Sequence, residues 1–465
     1  MRVLLLVHDF LPAHPSGTEV YTGALALRLA ERGHEVQLFA TEKDIARPHL
    51  ARTRRTWRGL VVHELVNNLF YDDFRETWDY PPAERAFEEV LAEFRPDVVH
   101  VMHLLYLSVG CAEAAARRGI PVFFTLHDFW LQCARFGQRI HADGAVCHVI
   151  DHARCGTCLA RLPFAQTPLA RRAARVIAGV KRASGLDLGA LARRAGERVR
   201  RGAAAEPPVE REQALAVAAR ERDDALRARL APVVERFLAP SRFLRERFLE
   251  WGLPAERLEH LGYGHELEAF RATPRAPRVP GAPLRVAFLG TLAPHKAPHL
   301  VLEAWARLPR ELAARATLTL FGPKHHNPEY VARLEARAAE VGARLPGALA
   351  HDQVPAALSA TDLVVVPSVW YENSPLVIHE ARAAHVAVLV SDLGGMAELV
   401  EPGRQGWRFR AGDAEDLARA LAEVLRAPER LDGLDFEPPP KDMRTHAEEL
   451  EQRYAAALAR RRARA

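Results

Sequence analysis

Short apolar runs alternate with stretches of helical periodicity along most of the chain. The apolar runs are residues 2–8, 34–40, 59–65, 96–102, 121–127 and 235–241 in the first half, and 284–291, 316–322, 363–368 and 386–392 in the second. Helical periodicity lies between them, for example at 17–32, 83–94 and 108–119. Because these runs lack polar alternation, they predict parallel strands in sheets that helices cover on both faces.

A proline-rich segment, residues 273–283, interrupts the alternation and is typical of a linker. The pattern therefore predicts two doubly wound α/β domains. Residues 1–265 would form the first and residues 266–440 the second, and the two would face each other across a cleft at their strand ends. Helical periodicity over 443–462 predicts that residues 441–465 form a C-terminal helix that crosses back to the first domain.

Composition excludes several classes of protein. The 465 residues are 49% hydrophobic and 26% charged, which is typical of a globular chain of more than one domain. No run approaches the ~20 apolar residues that cross a bilayer. The short apolar run between Arg2 and His8 predicts a strand and not a signal peptide, so we expect a cytoplasmic protein. The phosphate-binding motifs of P-loop NTPases and nicotinamide dehydrogenases do not occur.

Residues 161–231 form a basic insertion with 16 basic and 8 acidic side chains. Its net charge of +8 exceeds the +5 of the whole chain. The spacing of its apolar residues predicts helices such as 211–230. Such an arm would suit peripheral contact with an anionic membrane, on the inner face of the cell membrane. The alternative is a solvated, salt-bridged helical insertion. Aromatic residues are not interleaved with its charges, so we expect no nucleic-acid binding.

Four of the five cysteines crowd into a single loop, at Cys133, Cys147, Cys155 and Cys158. A Cys-x-x-Cys pair in a turn is the tight half of a tetrahedral thiolate site, and the other two cysteines are spaced to close the loop. The loop is too short to bury a core, so a structural zinc ion would supply its stability. An iron–sulfur cluster and thiols that are free or oxidised in pairs are the alternatives. His141, His148 and His152 are spare ligands, whereas Cys111 is expected in the core.

A strand, a polar turn and a helix follow one another in the last third of the chain. A helix that begins at Pro375, capped by Ser374 or Asn373, would offer free backbone N–H groups and a positive dipole end to a phosphate. Glu372 would lie in the turn and Glu380 on the second helical turn, where carboxylates can accept hydrogen bonds from sugar hydroxyls. The alternative is that one glutamate caps the helix and the other is solvated.

This segment, Glu372-x7-Glu380 after a strand ending in Val-Pro-Ser, resembles the signature of the retaining glycosyltransferases of family 4, which have the GT-B fold. Further segments resemble that family in the same order, namely Ser16–Glu19, Arg32–Val36, Ala239–Leu244, Leu289–Lys296 and Val354–Asp362. The resemblance extends from residue 2 to about residue 426, apart from residues 133–232. It implies an acceptor-binding first domain and a donor-binding second domain.

The resemblance also implies a role for each matching residue. Glu380 would hold the ribose of a nucleotide, and Glu372 would bind hydroxyls of the transferred sugar. The donor-binding residues would be Gly17, Lys296, Asn373, Ser374, Leu376 and Glu380. His127 and Glu372 would act in catalysis, with His127 beside the reacting sugar. We expect His100 and His103 to line the acceptor pocket.

The activity implied by the family is transfer of a sugar, with retention of configuration, from a nucleotide-diphosphate sugar to a saccharide, lipid-linked or small-molecule acceptor. Such transfer serves cell-surface glycan or glycoconjugate synthesis, and it needs no cofactor and no catalytic metal. The chain departs from the family at Thr291, where many members carry Arg, so His295 or Lys324 would have to supply the missing cation. Lys296 stands out because only five of the 64 basic residues are lysines. The alternative is a catalytically idle GT-B protein that binds sugar nucleotides or acts as a scaffold.

Overall fold

The structure, a computed structural model, describes residues 1–162, 207–279, 281–325 and 327–463, with scattered positions between 164 and 184. The chain divides into two compact units. The first unit consists of Met1–Ala239, Phe248–Glu259 and Ala447–Ala465, and the second of Pro240–Arg247 and His260–His446.

Strands and helices alternate along both units. The strands are β1 (Arg2–Leu6), β2 (Glu35–Glu42), β3 (Arg52–Trp57), β4 (Leu60–Val66), β5 (Val98–Val101), β6 (Val122–Thr125), β7 (Val234–Ala239), β8 (Leu258–His260), β9 (Leu284–Leu289), β10 (Ala316–Phe321), β11 (Arg344–Gly347), β12 (Leu363–Val366), β13 (Ala387–Ser391) and β14 (Gly406–Phe409). The helices are α1 (Gly17–Glu31), α2 (Pro81–Phe94), α3 (Gly110–Arg117), α4 (His152–Ala160), α5 (Val209–Val233), α6 (Arg242–Glu250), α7 (Glu268–Ala272), α8 (Pro298–Arg307), α9 (Arg310–Ala313), α10 (Pro328–Val341), α11 (Val354–Ser359), α12 (Leu376–Ala383), α13 (Gly395–Leu399), α14 (Ala414–Arg426) and α15 (Met443–Arg462). Short 3-10 helices lie at Arg75–Thr77, Ala255–Arg257, Pro294–Lys296, His351–Gln353 and Pro428–Leu431.

The first unit is built on a sheet of eight strands in the order β3-β4-β2-β1-β5-β6-β7-β8. Its central pairs are parallel, from β4–β2 to β6–β7, whereas β3 and β4 form an antiparallel hairpin. The hairpin turns at Arg58 and Gly59, which both have positive φ angles, as a tight two-residue turn requires. Because β1, β5 and β6 are neighbours, the residues that follow these three strands meet at one edge of the sheet.

The second unit has a parallel sheet of six strands in the order β11-β10-β9-β12-β13-β14. Alternate residues of its central strand β12 enter two different cores: Leu363 and Val365 pack on one face, and Val364 and Val366 on the other. Burial on both faces explains why the strand is a continuous apolar run. The end of β12 is therefore held rigidly by packing on both sides.

The predicted fold class is confirmed, because both units are doubly wound α/β structures. Each of the ten apolar runs contains a strand, although the strands end one or two residues earlier or later than predicted. The helix predicted over 443–462 has these bounds, and the one predicted over 211–230 extends over Val209–Val233. Four strands were not predicted, namely β3, β8, β11 and β14.

The division between the units differs from the predicted boundary after residue 265. Pro240–Arg247 and the residues from His260 onward belong to the second unit. The first of these segments is anchored there because Glu398 accepts hydrogen bonds from the backbone N–H groups of Arg242, at 2.8 Å, and of Phe243. The residues of α15 from Ala447 onward belong to the first unit.

The basic insertion lies partly outside the described residues, which include only scattered positions between 163 and 206. Its described C-terminal part, residues 207–231, holds five basic and five acidic side chains and is mostly helix α5. The positive excess therefore comes from the earlier part, and membrane contact through 161–231 stays a prediction. Within the part of the chain that is described, no helix combines the length and the apolar character needed to cross a membrane.

Candidate active site

Glu372 lies in the turn between β12 and α12, and its carboxylate accepts several hydrogen bonds. One carboxylate oxygen, Oε1, accepts hydrogen bonds from Lys296 Nζ at 2.5 Å, Trp370 Nε1 at 2.7 Å and Ser368 Oγ at 2.9 Å. Burial by itself would raise the pKa of Glu372, but the charge of Lys296 and these three donors outweigh it and hold the pKa below its usual value of 4.5. Glu372 is therefore a carboxylate at neutral pH.

Lys296 ends the short 3-10 turn that follows β9. Its ammonium group pairs with Glu372 and lies 5.4 Å from the centre of the Trp370 ring. The other two cations considered at this site do not contribute. Burial and the charge of Lys296 lower the pKa of His295 to about 4, so this imidazole is neutral, and Lys324 pairs with Glu335 at 2.7 Å on the surface. Neither of these two residues therefore replaces the family's Arg beside Lys296.

Two glycines that the sequence analysis did not select hold the turn around Glu372. Gly394 has a φ of +61°, and a Cβ there would lie 2.9 Å from the carbonyl oxygen of Glu372. At Gly395 a Cβ would lie only 1.7 Å from the carbonyl oxygen of Asn373, while the Gly395 N–H donates to the Glu372 carbonyl at 2.8 Å. Only glycine permits this close approach. A Gly-Gly pair shortly after a strand was the available signal.

The start of helix α12 corrects one prediction. The helix begins at Leu376, with Pro375 as the residue before it, and no side chain caps it. The carboxamide oxygen of Asn373 accepts from Ser241 Oγ at 2.7 Å, and the Ser374 hydroxyl contacts His379 Nε2 at 2.7 Å. Ile378 N–H donates to the Pro375 carbonyl at 3.1 Å, and neither of the two held side chains caps the N–H groups of Leu376 and Val377 before it.

Glu380 lies on α12 in surroundings unlike those of Glu372. Burial raises its pKa to about 7. Among the described residues, no hydrogen bond or ion pair is made by its carboxylate. On the same helix, His379 stacks on His265 with 4.0 Å between ring centres, and burial lowers the pKa of both. Within the described part of the chain, the Glu380 carboxyl is thus available to a ligand.

In the first unit, a histidine follows each of three neighbouring strands after one intervening residue: His8 after β1, His103 after β5 and His127 after β6. The rings of His8 and His103 are 4.5 Å apart, and that of His127 lies 5.0 Å from Tyr21. His103 and His127 line one small cavity of about 10 Å³. The structure therefore brings together two of the histidines selected from the sequence and adds His8.

Acidic groups accompany these histidines. His103 Nε2 lies 3.2 Å from Asp128 Oδ2, and His8 Nε2 lies 3.2 Å from Glu19 Oε1. Burial lowers the pKa of His8 well below 6.5 and raises that of Glu19 to about 7. Glu19 is on the first turn of α1, which begins at Gly17, and a Cβ at Gly17 would meet nothing within 4 Å. Space is therefore open beside the start of this helix.

His100 does not line an acceptor pocket, and this prediction was wrong. Its side chain is fully buried, with Nδ1 2.5 Å from the Tyr454 hydroxyl of α15 and Nε2 2.8 Å from Thr125 Oγ1. Burial lowers its pKa to about 3. Both ring nitrogens are used inside the core, so neither can contact a ligand.

The four clustered cysteines line a single cavity of about 30 Å³ in the first unit. The turn predicted for Cys155 and Cys158 is instead part of helix α4, where a spacing of three residues places both on one face. Asp151 caps this helix by accepting from the Ala153 N–H. Within the described ranges, no group of three or more potential ligands already has the arrangement of a metal site.

Known families and proteins resemble both halves of the chain. The family model described as glycosyl transferases group 1 matches residues 270–435, and that of glycosyltransferase family 4 matches residues 15–179. D-inositol 3-phosphate glycosyltransferase of Nocardia farcinica is 33% identical over 193 residues, which are 39% of this chain and 42% of that protein. Lipopolysaccharide 1,2-N-acetylglucosaminetransferase of Salmonella typhimurium is 29% identical over 208 residues, 41% of this chain and 54% of that protein. The chain thus spans about half the length of these curated relatives.

Among solved structures, HepE of Anabaena in complex with UDP and glucose aligns with 98% of this chain and 100% of its own, at a TM-score of 0.62 and 15% identity. At this identity the likeness shows the fold alone. The two family matches fall on the two units, one on each sheet. The chain therefore belongs to the family 4 glycosyltransferases and has the GT-B fold.

Proposed function

We propose that this chain is a retaining glycosyltransferase that uses a nucleotide-diphosphate sugar. The observation that carries the proposal is the arrangement around α12, where a Lys296–Glu372 ion pair and the separate acid Glu380 flank an uncapped helix start. A nucleotide sugar has three matching parts: hydroxyls on the sugar, negative charge on the diphosphate and hydroxyls on the ribose.

The donor-binding role of each group follows from its chemistry. Glu380 has a carboxyl group that can accept hydrogen bonds from both ribose hydroxyls, which would stabilise its ionised form. The N–H groups at the start of α12 and the ammonium of Lys296 suit phosphate oxygens. Glu372 is ionised and fixed by Trp370 and Ser368, so it can accept hydrogen bonds from the hydroxyls of the transferred sugar.

Lys296 would have to exchange partners during the reaction. In this structure it neutralises Glu372, whereas a bound diphosphate would compete for it. Negative charge on the diphosphate grows as the sugar–phosphate bond breaks, so the attraction of Lys296 is largest in the transition state. No enzymic nucleophile is required if the departing diphosphate accepts the proton of the acceptor hydroxyl on the same face of the sugar. The configuration at the anomeric carbon is then retained.

We assign acceptor binding to the first unit. His103 and His127 line one cavity, and Asp128, which bonds to His103, lines it too. His127 would donate or accept a hydrogen bond at the reacting sugar. The acceptors named for two relatives, an inositol phosphate and a lipopolysaccharide, make saccharide, lipid-linked and small polyol acceptors the first to be tried. We propose synthesis of cell-surface glycans or glycoconjugates as the setting.

The test is release of nucleoside diphosphate from a panel of nucleotide sugars, beginning with UDP-glucose, with and without candidate acceptors. We expect at least one donor to be cleaved, and cleavage to increase with an acceptor. The anomeric configuration of the product, measured by NMR, should be that of the donor. A Glu372→Gln variant should bind nucleotide but transfer sugar slowly. Nucleotide binding without turnover of any donor would contradict the proposal and indicate an idle GT-B protein.

A further inference from the structure

We propose that Cys133, Cys147, Cys155 and Cys158 bind one structural zinc ion as four thiolates. All four side chains line the same cavity of about 30 Å³, and none is in a disulfide. A cavity of this volume has room for one zinc ion. The remaining cysteine, Cys111, is buried in helix α3 and does not line this cavity.

Three of the four ligands come from two small pieces of structure on the same cavity, and Cys133 precedes both in the chain. Cys147 ends a short hairpin, in which Cys147 N–H donates to Arg139 O at 2.7 Å and His141 N–H donates to Ala145 O at 2.8 Å. Helix α4 presents Cys155 and Cys158 on one face. Two hydrogen-bonded residue pairs cannot stabilise a hairpin in water by themselves. An ion between the hairpin and α4 would supply the missing stability.

The sulfurs are not yet in coordination geometry, and their present contacts show what must change. Cys147 Sγ donates to Val149 O at 3.2 Å, and Cys158 Sγ is 3.6 Å from His141 Nδ1. These are contacts of thiols. Zinc binding would remove the protons, break these contacts and turn the sulfurs to about 2.3 Å from the ion.

The charges around the cavity favour four thiolates over other ligand sets. Arg222 lines the cavity and Arg139 bonds to the carbonyl oxygen of Cys147, and both side chains are almost fully buried. Their guanidinium groups donate to backbone carbonyls and to Gln132, and no carboxylate among the described residues pairs with either. Buried positive charges that have no negatively charged partner are costly. Zinc with four thiolates carries two negative charges and would balance both arginines, whereas two disulfides or a site with two cysteines and two histidines would carry none.

The ion would have a structural role, because four thiolates leave no open position for water or substrate. Helix α4 is fixed to α5 on its other side, where Thr157 Oγ1 donates to Glu212 Oε2 at 2.9 Å and a Cβ at Gly156 would lie 2.2 Å from the Glu212 carbonyl oxygen. Zinc would extend this anchoring to the hairpin and to Cys133. Cys133 follows His127 by six residues. The loop beside His127 would then be held in place.

The first experiment needs no variant. The full chain is purified without added metal, and its zinc and iron are measured by mass spectrometry, followed by zinc X-ray absorption. We expect about one zinc per chain and a first shell of sulfur only, at about 2.3 Å. A nitrogen contribution at about 2.0–2.1 Å would overturn the four-thiolate ligand set. Iron in place of zinc, or no metal together with four reactive thiols or two disulfides, would overturn the proposal.

Variants then test the ligands and the charge argument. Cys155→Ser and Cys147→Ser should each lose most of the zinc, whereas the matched control Cys111→Ala, and His141→Ala beside the cavity, should retain it. Arg222→Met should weaken zinc binding about 10- to 100-fold in competition with a chelating dye, because a neighbouring charge tunes the metal. Unchanged zinc affinity in Arg222→Met would contradict the charge argument. Loss of zinc in His141→Ala would contradict the ligand set.

Removal of the ion by a chelator gives an independent readout in the wild-type chain. We expect the backbone amides of residues 139–160 to exchange with solvent faster, by tenfold or more, and those of the second unit to be unaffected. Unchanged exchange in residues 139–160 after complete loss of zinc would overturn the structural role.

Discussion

The strand ends of both units hold an ion pair, but among the described residues only the first unit adds a pair made of a largely buried histidine and a buried glutamate. In the second unit an ammonium group and a carboxylate, Lys296 and Glu372, form a partly buried pair. In the first unit the corresponding edge holds an ion pair of Lys43 and Asp9, at 3.2 Å, and also His8 beside Glu19. Burial lowers the pKa of this histidine and raises that of the glutamate to about 7. Near pH 6.5 the His8–Glu19 pair is therefore mostly uncharged, whereas Lys296 and Glu372 form an ion pair.

This difference matches the chemistry of the two proposed ligands. A diphosphate is strongly charged and needs a cation, which a protein can keep in a partly buried site only if a carboxylate neutralises it until the ligand arrives. An acceptor hydroxyl is neutral and is bound well by uncharged donors and acceptors. The comparison supports donor binding by the second unit and acceptor binding by the first. Substitutions that change the charge in only one of the two units test this comparison.

Lys296→Ala should have the largest effect. We expect kcat to fall about 100- to 1,000-fold, as for loss of one preorganised group that stabilises developing charge. In our proposal the nucleoside is bound at Glu380, so affinity for the nucleoside monophosphate should change little. Glu372 would also lose its cation and be left with two neutral donors, so its pKa should rise. Steady-state kinetics and calorimetry measure these effects.

The control for this prediction is Lys324→Ala, which removes a lysine that also pairs with a glutamate but on the surface. It should be as active as the wild type. Lys296→Ala leaves a buried carboxylate without its cation, which should lower stability. The double variant Lys296→Ala/Glu372→Gln removes that carboxylate as well, so it should regain the lost stability but not the lost turnover. Full activity in Lys296→Ala would show that the diphosphate is not bound here.

Glu380→Gln should weaken nucleotide binding by about 10- to 150-fold at pH 8, which corresponds to loss of a charged hydrogen bond of about 1.5–3 kcal/mol. Because the pKa of Glu380 is about 7, the wild-type carboxyl is mostly protonated at pH 6 and ionised at pH 8. The ratio of the wild-type and variant affinities should therefore increase with pH over this range. Calorimetric titrations at both pH values measure this ratio. Protonation of the ligand's phosphate affects both affinities equally, so it does not change the ratio. Equal affinities at pH 8 would exclude Glu380 from the ribose site.

Glu19→Gln tests whether the His8–Glu19 pair of the first unit is uncharged. The folded chain holds the Glu19 proton up to about pH 7, whereas the unfolded chain releases it near 4.5, so ionisation of Glu19 lowers stability as pH rises between these values. The variant has no proton to lose there. Relative to the wild type it should gain on the order of 2 kcal/mol between pH 5 and pH 8.

Urea unfolding at both pH values measures this gain. His8 acts in the opposite direction in both proteins, because its folded pKa lies below 6.5. Asp9, His103 and His14 are the other titratable neighbours of Glu19. Nucleotide affinity should not change in Glu19→Gln. A pH-independent difference in stability would show that Glu19 is already ionised in the folded chain.

Most of the fold could be predicted because buried strands leave a continuous apolar pattern. The four strands that were missed are the two edges of each sheet, β3, β8, β11 and β14. An edge strand is partly exposed, so its sequence can be polar, as in the Arg-Thr-Arg-Arg-Thr-Trp of β3, or contain proline, as in β11. Such strands are formed by pairing with a neighbour, which is not visible in a local pattern.

The site shows the same limit. Residues in one motif, such as Glu372 and Glu380, could be selected from the sequence, but their opposite pKa shifts depend on a lysine 76 residues away and on burial. The Gly394–Gly395 support and the His8–Glu19 pair depend on tertiary packing in the same way. His100 was placed at the wrong site because a histidine just before a strand end can point into the core as easily as toward a ligand.

Tyr454→Phe tests the structural role of His100 and should have the smallest effect. The substitution removes the hydroxyl that contacts His100 Nδ1 inside the core, while the ring keeps its packing against Phe123. Loss of one buried hydrogen bond should lower the free energy of unfolding by about 1 kcal/mol. Because burial keeps His100 neutral, with a pKa of about 3, the loss should be the same at pH 6 and pH 8. Acceptor KM and nucleotide affinity should match the wild type, since neither ring nitrogen of His100 reaches a ligand. A raised acceptor KM with unchanged stability would instead restore His100 to the acceptor pocket.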